Sequence, residues 1–392
     1  MLAYHQVLEA GILRVLHVLP AGEFGGAESQ ILALAKGLQA LGIKVEVATY
    51  FDAEFAQKAR ATGIAVRVFA SDGLLHDRQI LLTYLKEHPV DVLHTHGVRA
   101  SFIGRLVGRT VKIPVVTTIH SDLYYDYAST LRRFLFMQME RFTRRYSMRI
   151  IAVSNALAHI LLARGYDKSR LVVIANGMDT KRADTELRLA DQAPVDIKRS
   201  LGIQETAWVV FCAARLHPVK RHDILIQAIA ALPEVAGRAV HLVLAGDGSE
   251  RSALEALAKD LAPGRIHFLG ARTDVFALLS QADVFALVST MEGLPIALLE
   301  AMYARLPVVT TRVGGMVELV EGTPEDSRQA GLSVPPGDVQ ALAQAFSVLL
   351  SDDGLRRRMG EIGYTRVRDK YSLSHMAQQV ADLYTGVVSE EI

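Results

Sequence analysis

Asp283-Val-Phe-Ala-Leu-Val-Ser-Thr-Met-Glu-Gly-Leu-Pro-Ile-Ala-Leu-Leu-Glu-Ala-Met302 joins three local signals. Residues 283–288 form a short apolar run that reads as a buried strand. Pro295 suits the first turn of a helix, where its missing N–H is harmless. The loop between them would aim the backbone N–H groups of Gly293, Leu294 and their neighbours out of the sheet's carboxyl edge, a favourable place for a diphosphate. Glu292 stands just before the helix, and Glu300 stands about 7.5 Å along the axis from Pro295 at 1.5 Å per residue. Two carboxylates so spaced can hold different parts of one ligand.

The same strand-then-helix alternation extends in both directions. Residues 13–19, 44–49, 65–69, 91–95, 115–119, 149–153 and 171–174 are β-rich runs separated by helical patterns. The pattern stops at a charged stretch, 179–200, which reads as a linker. It restarts at 208–213 and continues with 240–245, 265–269, 283–288, 307–311 and 331–334. Both halves are thus expected to be doubly wound α/β domains with a cleft between them, over 1–182 and 183–370. In 371–388, apolar residues at Leu373, Met376, Val380, Leu383, Tyr384 and Val387 have helical spacing. That segment, within 371–392, is expected to return to the first domain.

The bulk numbers agree with two cores, since 392 residues, half of them hydrophobic, exceed one ordinary domain. The single cysteine, Cys212, sits in the apolar run 208–213 and reads as a buried core thiol in a reducing compartment. No run of about twenty apolar residues is present, and residues 1–11 lack the regions of a secretory signal, so a cytoplasmic place is expected. The net charge of +1 hides an asymmetry: 1–182 carries 23 basic and 15 acidic side chains, and 183–392 carries 20 and 27. The first half is the candidate for meeting an anionic surface. Within it, 129–147 combines Arg132, Arg133, Arg141, Arg144 and Arg145 with Leu131, Phe134, Leu135, Phe136, Met137, Met139 and Phe142. This reads as an interfacial helix on anionic lipid, peripheral on the inner face of the membrane; the competing reading is a helix packed on the sheet with a solvated basic face. No nucleic-acid-binding module accompanies the charge.

Three further groups of residues carry possible chemistry. Ala214-Arg-Leu-His-Pro-Val-Lys220 follows the first strand of the second domain, Gly25-Gly-Ala-Glu28 follows the first strand of the chain and opens the amphipathic stretch 27–41, and His120 ends the strand 115–119. The paired-glycine turn is not Gly-x-Gly-x-x-Gly, so a dinucleotide-binding reading loses its best support. His94 and His96 point to one face of a strand, as metal ligands do, but no third ligand with suitable spacing is evident, and hydrogen bonding or packing is the reading taken.

Glu292 and Glu300 in this context closely resemble the hallmark of the retaining glycosyltransferases of family four, the glycosyl transferases group 1: a glutamate, seven residues, then a second glutamate. The resemblance implies the two-domain GT-B fold. It implies that Glu292 binds hydroxyls of the donor sugar and Glu300 the ribose of the nucleotide, with the diphosphate against Gly293, Leu294 and Pro295. It further implies that Arg215 and Lys220 neutralise the phosphates in place of a metal ion, that Gly25 and Gly26 face the donor phosphates, and that His120 touches the donor sugar. Arg272, in Phe268-Leu-Gly-Ala-Arg272, would stand near the base. Asn176-Gly177 with Asp179, Gly246-Asp-Gly248 and Gly314-Gly315 with Glu318 match turns of the same family. One departure is Arg305 in Ala304-Arg-Leu-Pro307, where a small residue, often glycine, is usual.

The function so implied is a retaining, metal-independent transfer of a hexose or N-acetylhexosamine from a nucleotide diphosphate sugar, by family prior a UDP-sugar. The acceptor would be a saccharide, lipid-linked in cell-surface polysaccharide or glycolipid biosynthesis. No cofactor and no metal are expected. Two rivals stay open: a nucleotide-sugar epimerase on the same architecture, and a non-catalytic sugar-nucleotide-binding scaffold.

Overall fold

A computed structural model describes residues 12–20, 25–126, 129–192 and 196–390. The segment 1–11, where a signal was sought, lies outside the described residues, as do 193–195 of the expected linker. The chain divides into two compact units, Met1–Gly177 with Leu373–Ile392, and Met178–Ser372. The division falls five residues before the sequence-based boundary at 182, directly after Asn176-Gly177.

The first unit is built on seven parallel strands. These are β1 (Arg14–Leu19), β2 (Lys44–Thr49), β3 (Ala65–Val68), β4 (Val92–His96), β5 (Val115–Ile119), β6 (Arg149–Ala152) and β7 (Leu171–Val173). Their order is β3-β2-β1-β4-β5-β6-β7, so the direction of winding reverses between β1 and β4. Alternation along β1 sends Val15 and Leu19 to one core and Leu16 and Val18 to the other. The first core is closed by the helix Gly26–Ala40 and by the C-terminal helix Leu373–Ser389. The C-terminal helix buries Met376, Val380, Tyr384 and Val387, each contributing roughly 1.5–3 kcal/mol. It approaches closely because Gly37 faces Ala377: a Cβ on Gly37 would lie 2.7 Å from the Ala377 Cβ.

The second unit repeats the plan. Its strands are β8 (Trp208–Ala213), β9 (Glu234–Val235), β10 (Arg238–Ala245), β11 (Ile266–Phe268), β12 (Val284–Leu287), β13 (Val308–Thr311) and β14 (Gly331–Val334). The parallel order is β11-β10-β8-β12-β13-β14, with winding reversed between β8 and β12. β9 pairs antiparallel to β10 and was not read from the sequence, two residues giving no periodicity. Most of the expected linker is a helix, Thr180–Gln192, which belongs to this unit. Asp179 caps it by accepting from the Arg182 N–H at 3.0 Å. Only the small Ala183 and Ala190 are buried along it, which is why its sequence shows charge and no apolar stripe.

Two expectations need correction in detail. Pro295 is the N-cap of the helix Ile296–Tyr303 and not within its first turn. The helix Thr130–Thr143 is not an ordinary packed helix: Leu131, Phe134, Leu135 and Phe142 are all more than half exposed. What docks it is polar. Arg105, fully buried, donates to both oxygens of Glu140, at 2.5 and 2.8 Å, and to the Ser147 hydroxyl at 2.7 Å, while the Tyr166 hydroxyl donates to Glu140 at 2.9 Å. Arg305 adopts a left-handed conformation, φ 59°, just beyond the C-cap of Ile296–Tyr303. Glycine is the residue favoured there, which accounts for the family's usual small residue.

Removing one partner of the Arg105–Glu140 pair leaves a buried charge. Arg105→Met is expected to lower stability by about 3–5 kcal/mol in urea titration, and Arg105→Met with Glu140→Leu to recover most of it. A double variant as unstable as the single would show that the pair is not what holds this helix.

Candidate active site

Ligands of open α/β sheets bind outside the carboxyl ends of the strands where the winding reverses. In the second unit that point lies between β8 and β12. β8 runs into the loop with Arg215 and Lys220, and β12 into the loop with Ser289, Glu292, Gly293 and Leu294. The sequence-predicted residues of the second half are therefore delivered to one edge.

The Lys220 ammonium donates to Glu292 Oε1 at 2.5 Å, and the Ser289 hydroxyl donates to the same oxygen at 2.6 Å. Both ionic side chains are largely sheltered, at 19% and 11% exposed. The loops are tied together by the backbone as well, since the Thr290 N–H donates to the Val219 carbonyl at 2.9 Å. A third loop closes on Glu292: the Gly315 N–H donates to the Gly293 carbonyl at 2.9 Å, and a Cβ on Gly314 would lie 1.8 Å from the Glu292 carbonyl oxygen. Gly246 makes the same close approach to the other loop, where a Cβ would meet the Ala214 carbonyl oxygen at 1.9 Å. The expected turn glycines are thus spacing elements that let backbone touch backbone around the site.

Arg215 is exposed on its loop. Gly293 and Leu294 are buried at the start of the helix, with Pro295 half-buried. Glu300, half-buried within that helix, has its carboxyl raised to about 7 by burial, with Arg182 pulling it down and Glu186 pushing it up. Arg182 was not foreseen, because it stands in the segment read as linker. Ser289 was quoted without a role, although three residues before Glu292 in a tight loop is the signal that finds it. Arg272 donates to both oxygens of Asp274, at 2.8 and 2.5 Å, so its guanidinium is engaged locally. Asp247 accepts from the Gly248 N–H at 2.8 Å and holds its own turn. Cys212 is buried and its thiol is pushed up to about 12, first by burial, in keeping with a core residue.

In the first unit the reversal point gathers the other expected residues. Gly25 is the N-cap of the helix Gly26–Ala40, and its N–H donates to Glu28 Oε2 at 3.0 Å. A Cβ on Gly26 would meet no described atom within 4 Å, so the backbone there is open to approach. A cavity of about 140 Å³ lies beside it, lined among others by Glu28, Ile31, Ser101, Thr118 and His120. His120 Nε2 lies 3.1 Å from His96 Nδ1. The third histidine that the sequence reading did not find is His17, the register partner of His94 on the neighbouring strand, with Nδ1 3.0 Å from His96 Nε2.

The sequence and the fold are similar to those of known proteins. Residues 195–366 match the family model for glycosyl transferases group 1, and residues 24–182 that for glycosyltransferase family 4. The alpha-D-kanosaminyltransferase of Streptomyces kanamyceticus is 31% identical over 307 residues, covering 74% of each chain. The UDP-Gal:alpha-D-GlcNAc-diphosphoundecaprenol alpha-1,3-galactosyltransferase of Escherichia coli is 26% identical over 324 residues, covering 80% of this chain and 81% of that one. Among solved structures, Anabaena HepE in complex with UDP and glucose superposes with a TM-score of 0.80 at 23% identity, over 95% of this chain and all of that one. These two Rossmann-like units define a GT-B protein. The chain belongs to the glycosyl transferases group 1 and is a glycosyltransferase.

Glu300 makes stability depend on pH. Its ordinary value of 4.5 is raised to about 7 on folding, so the folded state binds the proton more tightly between these values. The stability is fully present below about 4.5 and falls as pH rises through about 7. Glu300→Gln is expected to flatten that part of the stability–pH curve, measured by urea titration from pH 4 to 8. An unchanged slope would mean that Glu300 does not titrate in this range.

Proposed function

We propose that the protein is a retaining, metal-independent glycosyltransferase that moves a hexose or N-acetylhexosamine from a UDP-sugar to a saccharide acceptor. The observation that carries this reading is the convergence of Lys220 and Ser289 on Glu292, at the carboxyl edge of the second sheet and one helix from Glu300. A cation, a hydroxyl and two carboxylates there are the groups needed for a diphosphate, a sugar and a ribose. Support for uridine comes from the E. coli relative, named for a UDP-galactose donor, and from HepE, solved with UDP-glucose.

In this reading the diphosphate takes Lys220 and Arg215 as counter-charges and lies against the N–H groups of Gly293 and Leu294. Glu292 accepts from sugar hydroxyls, Glu300 from the ribose hydroxyls, and Arg272 lies by the base. Gly25 and Gly26 are assigned to the phosphates and His120 to a sugar hydroxyl. The acceptor oxygen attacks the anomeric carbon on the face from which the diphosphate departs. One carbon–oxygen bond forms as the bond to the diphosphate breaks, and the acceptor proton passes to a diphosphate oxygen. Lys220 and Arg215 stabilise the charge developing on that leaving group. Neither Glu292 nor Glu300 is a nucleophile here.

The acceptor is proposed to be lipid-linked, with the helix Thr130–Thr143 resting on anionic lipid. The support is chemical: exposed Leu131, Phe134, Leu135 and Phe142 stand among exposed Arg132, Arg141 and Arg145. No helix among the described residues is long and apolar enough to cross a membrane.

A thermal-shift panel of nucleotide sugars is expected to show stabilisation by a UDP-sugar. Lys220→Met is expected to lower kcat on the order of 10²-fold, and activity is expected to survive EDTA. Epimerised donor without any acceptor, or binding with no turnover under every acceptor, would contradict the transferase reading in favour of one of its rivals. For the membrane, the protein is expected to sediment with phosphatidylglycerol vesicles and not with phosphatidylcholine ones, and Leu131→Ser with Phe134→Ser to abolish this. Indifference to anionic vesicles, with only small soluble acceptors glycosylated, would refute the lipid-linked acceptor.

A further inference from the structure

Four histidines, a tyrosine and a threonine form one string of hydrogen bonds through the interior of the first unit. His120 Nε2 lies 3.1 Å from His96 Nδ1, and His96 Nε2 lies 3.0 Å from His17 Nδ1. His17 Nε2 lies 3.3 Å from the Tyr384 hydroxyl, which lies 2.5 Å from His94 Nδ1, and His94 Nε2 lies 2.7 Å from the Thr118 hydroxyl. Burial lowers His17 to about 3 and His120 to about 4, and takes His94 and His96 well below the ordinary value, so all four imidazoles are neutral near pH 7.

A neutral imidazole has one N–H and one bare nitrogen. Each histidine inside the string must therefore donate to one side and accept from the other. Tyr384 has one hydrogen and two contacts, so it donates to one histidine and accepts from its neighbour. Only two complete arrangements exist. If Tyr384 donates to His94, all four histidines carry hydrogen on Nε2, and His120 Nδ1 is a bare acceptor. If Tyr384 donates to His17, all four carry it on Nδ1, and His120 Nδ1 is a donor.

The geometry selects the first. The short contact to His94 suits O–H···N, and the long one to His17 suits a weaker N–H···O. His120 Nδ1 is buried with no partner among the described residues. An unpartnered acceptor is more readily tolerated there than an unpartnered N–H.

We propose that Tyr384 is a positioning residue, which through His17 and His96 fixes His120 as the Nε2–H tautomer, so that Nδ1 offers a lone pair to a ligand hydroxyl. The ligand half of this inference rests on the function proposed above, whereas the tautomer half stands on the string alone. Tyr384 comes from the C-terminal helix, which gives that helix a chemical role besides its packing.

The same nitrogens bear comparison with a metal centre, since one ligand atom each from His17, His94 and His96 lie within 4.8 Å of one another. A tetrahedral ion with bonds of about 2.1 Å would hold its nitrogens roughly 3.4 Å apart. The 3.0 Å contact of His17 with His96 is a hydrogen bond instead. No carboxylate or thiolate accompanies the three imidazoles in that group to offset a buried dication.

Long-range proton–nitrogen NMR of the full chain, labelled with ¹⁵N-histidine, reads each tautomer directly. All four histidines are expected as Nε2–H. Tyr384→Phe is expected to turn His17, His96 and His120 into tautomer mixtures. Thr118→Val, which keeps Tyr384 and removes the acceptor for His94 Nε2–H, is expected to raise the Nδ1–H form of His120 at least tenfold. Wild-type His120 as Nδ1–H, or a His120 tautomer unmoved in both variants, would overturn the string. Stoichiometric Zn²⁺ that shifts the His17, His94 and His96 signals together would overturn it in favour of a metal centre. His120→Asn with normal turnover would instead overturn the ligand half, without touching the tautomer result.

Discussion

The contact between Lys220 and Glu292 is the constraint around which the second unit is arranged. A charge-assisted hydrogen bond of 2.5 Å between sheltered partners requires two loops, separated by 72 positions in sequence, to hold a fixed register. Parallel pairing of β8 with β12 supplies that register at the level of the sheet. Above the sheet, the bond from Thr290 to Val219 and the close backbone approach at Gly314 fix the loops themselves. The pair also sets the chemistry. Under the function proposed here, a diphosphate at this edge would compete with Glu292 for the same ammonium, and a sugar hydroxyl donating to Glu292 would compensate the carboxylate for what it gives up. In that proposal Lys220 answers the charge of the diphosphate and Glu292 the hydroxyls of the sugar.

Much of this was legible in the sequence because parallel strands buried on both faces leave compact apolar runs. Most of the strands that were read lie within a residue of the observed bounds, and the edge of the sheet that carries Glu292 followed from one strand, one loop and one proline. The parts that stayed hidden did so for physical reasons. The helix Thr180–Gln192 packs through alanines, so its pattern is one of charge, and Arg182 beside Glu300 was lost with it. β9 is too short to show alternation. Pro295 was placed one position too deep because proline is commonest at the first helical position, whereas here it stands at the cap, in extended backbone just before it.

The histidine string shows a different limit. His94 and His96 were seen as a pair on one face, yet their meaning depends on His17 across the strand and on Tyr384, 290 positions from His94. Register between β1 and β4 brings His17 opposite His94, and the close crossing at Gly37 and Ala377 lets the C-terminal helix approach. Neither is a local property. The Arg105–Glu140 pair is hidden in the same way: two charged residues 35 positions apart read as solvated until the fold buries them together. That pair frees the helix Thr130–Thr143 from packing through its apolar side chains, which is why these stand at the surface.

The central claim is that phosphate, sugar and ribose are read by separate groups of the second unit. Calorimetric titration of UDP and of the matching UDP-sugar into three single variants tests it most directly. Lys220→Met is predicted to weaken both ligands, since both carry the diphosphate. Glu300→Gln is predicted to weaken both, since a neutral amide accepts less strongly from the ribose hydroxyls than the carboxylate it replaces. Glu292→Gln is predicted to weaken the UDP-sugar and leave UDP nearly unchanged. Equal losses for UDP and UDP-sugar in Glu292→Gln, or normal affinity for both in Glu300→Gln, would contradict the account.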